Sequence, residues 1–288
     1  MESHRASWTA LAAASNRAMH LLVDDPPPIL RDEWALRLIG DEAATALRDN
    51  AAAFRTREWA ALRGLAVIRN RHAEDSLGKA IERGASQYVL LGAGLDSFAH
   101  REPELAARLT VFEVDHPASQ RTKRELLSNI GAPPVASLRY VPVDFETETL
   151  GESLSRAGFH RDLPTFFSWL GVTVYLSDSA SFSTLDFVRQ CAAGTEIVFE
   201  YSLPLEALPP EEQQLLTASI ARCQARGERF ESFFAPATLA GRLEGLGFSE
   251  IYDFGPAQAH PSYLAGRSDS LWFSELCHLM HASVAHPT

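Results

Sequence analysis

Cysteine and lysine are both scarce in this chain of 288 residues. The three cysteines, Cys191, Cys223 and Cys277, stand far apart with no C-x-x-C, which suggests neither a disulfide framework nor a zinc cluster. An odd count of this kind fits a reducing compartment, and a cytoplasmic location is expected. The two lysines, Lys79 and Lys123, exclude further chemistries. Neither follows a tyrosine by four positions, so the Tyr-x-x-x-Lys pair of a nicotinamide-dependent reductase is absent. Gly78-Lys79 lacks both the upstream glycine and the following Ser or Thr of a Walker phosphate loop. There is no G-x-S-x-G elbow and no H-E-x-x-H. His278 and His281 form a lone H-x-x-H, expected on a helix surface, and no metal site is expected. No apolar run approaches the ~20 residues that span a bilayer, and no signal-peptide core is read at the N-terminus.

Positive charge is also in deficit. The net charge of −11 argues against a nucleic-acid partner, which needs a basic face for phosphates, and against an anionic membrane surface. What is abundant is apolar residues, 46% of the chain, enough for a sizeable core.

Residues 1–85 read as helical, with no convincing strand. Asp24-Asp25-Pro26-Pro27-Pro28 stops a first helix, Asp32 caps a second, and 65–83 has helical apolar spacing. This segment is expected to form a helical cap or lid over a domain spanning 86–288. From residue 87 strands and helices alternate, with strands at 88–91, 110–114, 138–143, 165–169 and 196–202. A helical insertion at 203–246 interrupts them, and 248–254 and 270–273 read as the last two strands. Repeated βαβ units imply an α/β fold with a mostly parallel sheet and helices on both faces. An antiparallel final strand is expected at the edge.

Three successive strands end in a polar marker. The first ends in Gly92-Ala93-Gly94, where the lack of a side chain lets a ligand approach the backbone. The second ends in Asp115, about 20 residues on, the spacing at which an acid meets a ribose. The third ends in Asp144-Phe145, an acid and a large ring suited to adenine. Together they point to an adenosine site at the carboxyl ends of the strands. Ser97 stands where a dinucleotide fingerprint wants its third glycine, so the pattern fits S-adenosylmethionine, which has no pyrophosphate to cradle.

With these motifs the chain resembles the leucine carboxyl methyltransferase superfamily, in its bacterial branch of S-adenosylmethionine-dependent methyltransferases. The resemblance runs through Thr9-Ala10, Arg17-Ala18, Asp32-Glu33-Trp34-Ala35, Arg69-Asn70-Arg71, Leu90 to Asp96, Phe112 to Pro117, Val143-Asp144-Phe145 and Gly171 to Leu176. It implies a class I methyltransferase (Rossmann-like) fold. It also implies that Arg71 holds the methionine carboxylate, Asp115 the ribose, and Asp144-Phe145 the adenine end. One departure stands out: Leu170 occupies a position where many relatives carry an acid that approaches the cofactor.

The expected activity is O-methylation of a small molecule by in-line transfer, with a carboxylate acceptor favoured by the resemblance alone. Tyr175, Tyr201 and Arg267 are the candidates for lining the acceptor pocket. No general base is assigned and the oligomeric state is left open. The alternatives are an N- or hydroxyl-directed methyltransferase of natural products and a non-catalytic S-adenosylmethionine-binding protein.

Overall fold

The computed structural model describes residues 8–144 and 147–285. Four helices come first: α1 (Trp8–Val23), α2 (Glu33–Leu38), α3 (Asp41–Asp49) and the long α4 (Arg57–Glu82). Strand β1 (Gln87–Leu91) is followed by short α5 (Phe98–Arg101) and α6 (Pro103–Ala106), then β2 (Thr110–Asp115) and α7 (Pro117–Asn129). Next come β3 (Leu138–Pro142), α8 (Leu150–Arg156), β4 (Thr165–Trp169), α9 (Asp178–Arg189) and β5 (Glu196–Ser202). Helices α10 (Pro210–Gln224) and α11 (Pro236–Leu246) form the insertion, and β6 (Phe248–Phe254), α12 (Pro256–Ala259) and β7 (Cys277–Val284) follow.

The seven strands form one sheet in the order β3-β2-β1-β4-β5-β7-β6. The first five are parallel; β7 runs antiparallel to β5 and to β6. Alternation along β1 divides the core. Val89 and Leu91 face Leu154 of α8, Val188 of α9 and Leu243 of α11 in one apolar cluster. Tyr88 and Leu90 join Val67, Ile68 and Leu77 of α4 in the other. Strands buried on both faces need near-continuous apolar sequence, and β1, β4 and β5 are buried at every position.

The terminal strand differs from expectation. Residues 270–273 are not a strand, and β7 lies inside the sheet, with β6 at the edge. Trp272 instead runs along α4, its indole N–H donating to the Arg57 carbonyl at 3.1 Å. Gly64, in mid-helix, makes room for it, since a Cβ there would stand 1.9 Å from the Trp272 carbonyl oxygen. The apolar run Leu271-Trp272-Phe273 is buried against a helix, not paired in a ladder. His278 and His281 accordingly lie on β7 and not on a helix. His278 pairs with Asp253 at 2.7 Å and Glu275 at 2.8 Å, and His281 with Glu196 at 2.9 Å. Among the described residues no helix is long and apolar enough to cross a membrane.

A buried charge network ties the first helices to the sheet. Arg17 of α1 donates through Nε to Asp32 at 2.7 Å and through Nη2 to the Leu95 carbonyl at 2.6 Å. Asp32 also accepts the Ala35 N–H at 2.9 Å, capping α2. Arg101 of α5 stands 3.9 Å from Asp32 and pairs with Glu74 of α4 at 2.5 Å. Burial pushes the Asp32 carboxyl upward, but the guanidiniums of Arg17 and Arg101 outweigh it and hold it below the ordinary carboxylate range. Removing one partner of a buried pair strands the other, so Asp32→Ala is expected to cost about 3–5 kcal/mol in a urea titration. A depressed carboxyl contributes stability above its unfolded value, about 3.9, and loses it as pH falls through the folded value. The gap between wild type and variant should therefore narrow in acid; a gap that widens would contradict the assignment.

Candidate active site

Two adjoining cavities open at the carboxyl ends of β1, β4 and β5. The smaller, of about 220 Å³, is floored by the segment 92–96, by Asp115 and by Leu170-Gly171-Val172. Arg17 of α1 and Arg69 and Asn70 of α4 line its walls. The larger, of about 460 Å³, lies between α1, α4, α10 and the ends of β5 and β7. Its wall is mostly apolar, with Met19, Trp59, Leu216 and Phe230 among its residues. Thr9, Ala13, Arg69, Gly171 and Tyr175 line both cavities, so the two meet at these residues.

The glycine turn is built to hug this space. Gly92 and Gly94 have φ of +67° and +48°, a region that side chains disfavour. A Cβ on Gly92 would meet Val172 Cγ2 at 2.4 Å, and one on Gly94 would meet the Ala10 Cβ of α1 at 3.1 Å. The N–H groups of Gly92 and Ala93 donate to the Val114 carbonyl at 2.9 and 3.0 Å, tying the turn to the end of β2. Asp115 completes the tie. Its two carboxylate oxygens accept the N–H of Gly94 at 2.5 Å and of His116 at 2.7 Å. A carboxylate offers about four lone-pair sites, so further acceptor capacity remains for a ligand. Burial pushes the Asp115 carboxyl above its usual range, against the two main-chain donors.

Arg69 stands where the cavities meet. Its Nη1 donates to Glu200 of β5 at 2.6 Å, both side chains being largely buried. Gly171, at φ +70°, permits the crossing, because a Cβ there would fall 2.9 Å from Arg69 Nη1. The Glu200 main-chain carbonyl is fixed in turn by the Thr173 hydroxyl at 2.5 Å.

The structure thus brings Gly92, Ala93, Gly94, Asp115 and Leu170 together, with Tyr175 at the junction. Asp144 lies at the end of β3, next to β2, and is not among the cavity-lining residues; Phe145 lies outside the described residues. Arg71 is elsewhere: it is half exposed and paired with Asp75 at 2.9 Å. At ~3.6 residues per turn, positions two apart point about 200° apart, so the helix turns Arg69 to the cavity and Arg71 away. Tyr201 is buried, its hydroxyl donating to Asp253 at 2.6 Å, and lines neither cavity. Arg267 is also off the site, holding Asp269 at 3.0 Å and the main-chain carbonyls of Asp25 and Pro27 at 2.6 and 2.8 Å. Sequence reasoning missed Arg69, Arg17 and Glu200. The signal for Arg69 was present, since it shares the helix face of Leu65, Ala66 and Ala73.

A family model described as leucine carboxyl methyltransferase matches residues 10–189. YktD of Bacillus subtilis (strain 168) is 30% identical over 303 residues, covering 98% of this chain and 99% of its own. The chain belongs to the leucine carboxyl methyltransferase family. A relative in Mycolicibacterium vanbaalenii is 31% identical over 221 residues, 73% of this chain and 71% of its own. Both relatives are named as S-adenosyl-L-methionine-dependent methyltransferases. A crystal structure from Thermobifida fusca YX, described as a methyltransferase, superposes with a TM-score of 0.59 at 16% identity, over 99% of this chain and 97% of that one. It has the same fold.

The residues of this methyltransferase fit the family's cofactor. The Nε of Arg69 is buried with no hydrogen-bond partner among the described residues, a donor suited to a carboxylate. The glycine turn leaves the backbone open where a Cβ would press on Val172 and Ala10 of the cavity wall. Gly92→Ala should therefore lower stability by about 1–3 kcal/mol through backbone strain alone, and more through the Val172 clash. Thermal melts with and without S-adenosylhomocysteine check this; an unchanged melt in both would remove the turn from the argument.

Proposed function

We propose that this S-adenosyl-L-methionine-dependent methyltransferase methylates an oxygen of a small, largely apolar molecule held in the larger cavity. The observation that carries this reading is the direct adjacency of the two cavities at Arg69, Gly171 and Tyr175. When bound, the cofactor supplies a methyl group activated on a sulfonium. Asp115 accepts hydrogen bonds from the ribose hydroxyls, and Arg69 holds the methionine carboxylate in place of Arg71. For the adenine end the family resemblance keeps Asp144 and Phe145 as the candidates. Helix α1 acts as the lid, its Thr9 and Ala13 facing both cavities.

The apolar wall excludes water from a displacement in which charge is neutralised, and fixed cavities align acceptor and methyl. A carboxylate acceptor, favoured by the family resemblance, needs a cation. Among the described residues, the two guanidiniums lining the larger cavity are already paired, Arg69 with Glu200 and Arg222 with Glu58 at 2.5 Å.

Calorimetric titration with S-adenosylhomocysteine tests the cofactor end. Each lost charged hydrogen bond costs roughly 1.5–3 kcal/mol, so Asp115→Ala and Arg69→Ala should weaken binding about 10- to 100-fold. Arg71→Ala should leave it within about twofold, as expected for an exposed pair. Weakening by Arg71→Ala and not by Arg69→Ala would reverse the assignment. NAD(H) should not bind.

A further inference from the structure

Resting on the methyl-transfer reading above, we propose that Glu200 is the proton acceptor for an un-ionised O–H nucleophile, so that the acceptor is an apolar alcohol or phenol and not a carboxylate. Among the described residues lining the larger cavity, Glu200 is the only carboxylate, and no histidine lines it. It stands on β5, near the wall that both cavities share, through its 2.6 Å contact with Arg69.

The groups facing Glu200 come from three elements. Arg69 contacts it from α4, and Tyr175 of the segment after β4 and Cys277 of β7 line the same cavity. Burial, helped by the Cys223 thiol, pushes the Tyr175 hydroxyl upward; burial, helped by Glu200 itself, does the same for the Cys277 thiol. Both keep their protons at neutral pH and cannot act as bases there. A carboxylate acceptor placed beside Glu200 would set two anions together in an apolar wall, which low polarisability penalises. A hydroxyl brings a donor to the same place and is complementary.

The pairing with Arg69 links the two cavities. A carboxylate arriving from the cofactor side shares the guanidinium with Glu200 and loosens its hold, leaving a Glu200 oxygen for the acceptor. Arg69 would thus couple occupancy of the smaller cavity to the freedom of Glu200 in the larger one. In the transfer, the acceptor oxygen forms its bond to the methyl carbon as the carbon–sulfur bond breaks, with that electron pair remaining on sulfur. The hydroxyl proton passes to a Glu200 carboxylate oxygen and leaves to solvent with the product.

The test uses the full chain and paired aromatic probes, each a phenol and the carboxylic acid of the same ring system. With S-adenosylhomocysteine bound, calorimetry should show binding of phenols and at least tenfold weaker binding of the matched acids. Without it, phenol binding should weaken. Glu200→Gln should leave S-adenosylhomocysteine affinity within a few-fold. It should lower kcat on any phenol turned over by about 100-fold, the scale of a lost general base, with little change in KM. Preference for the acids, no binding of either probe class, or an undiminished kcat in Glu200→Gln would each overturn the inference. The cofactor reading would survive if S-adenosylhomocysteine still binds, and both fall if it does not. If Glu200→Gln fails to fold, the wild-type preference between paired probes decides alone.

Discussion

A single ion pair, Arg69 with Glu200, joins the two halves of the site. Charges held in an apolar interior are costly unless paired and well placed. Several local features follow from that requirement. Gly171 lacks a side chain where the guanidinium passes, and Thr173 fixes the carbonyl of the partner residue. Helix α4 must lie along the sheet with the phase that turns position 69 inward. Because the pair borders both cavities, whatever binds on one side alters the electrostatics of the other.

The second constraint is the closure of the glycine turn. Asp115 and the Val114 carbonyl take the main-chain donors of Gly92, Ala93 and Gly94, so β1 and β2 share one rigid rim. Arg17 then binds α1 to the same rim through the Leu95 carbonyl. The N-terminal helices are thus not equivalent. Helix α4 is a covering layer of the sheet, sharing its apolar cluster with Tyr88 and Phe166. Helix α1 supplies walls to the cavities. One stretch of helical sequence contains both a packing element and a cover, and Asp32 and Arg101 hold the two in register.

The residues that were legible in the sequence are those whose role is set by neighbours in the chain. Gly92-Ala93-Gly94 after an apolar run, and Asp115 one strand later, report backbone geometry and strand ends directly. Arg71, Tyr201 and Arg267 show the opposite case. Each is the right chemical type near the right motif. Helix phase turns Arg71 outward, strand alternation turns Tyr201 toward Asp253, and the proline-rich turn at 24–28 captures Arg267. The misplaced terminal strand has a similar origin. Apolar content in Leu271-Trp272-Phe273 reports burial, but burial against a helix and burial in a ladder look alike in sequence.

The sequence by itself determined the parallel βαβ order, the adenosine-type markers at successive strand ends and the membership of a methyltransferase family. These rest on local periodicity and on spacing within one turn, which need no long-range information. Only the tertiary structure decided which arginine faces the cavity and that β7 inserts between β5 and β6. It also decided that Glu200, 131 positions from Arg69, lies beside it. Such pairings depend on helix phase and on the order of strands in the sheet, and neither is fixed until the two apolar clusters on the faces of the sheet are packed.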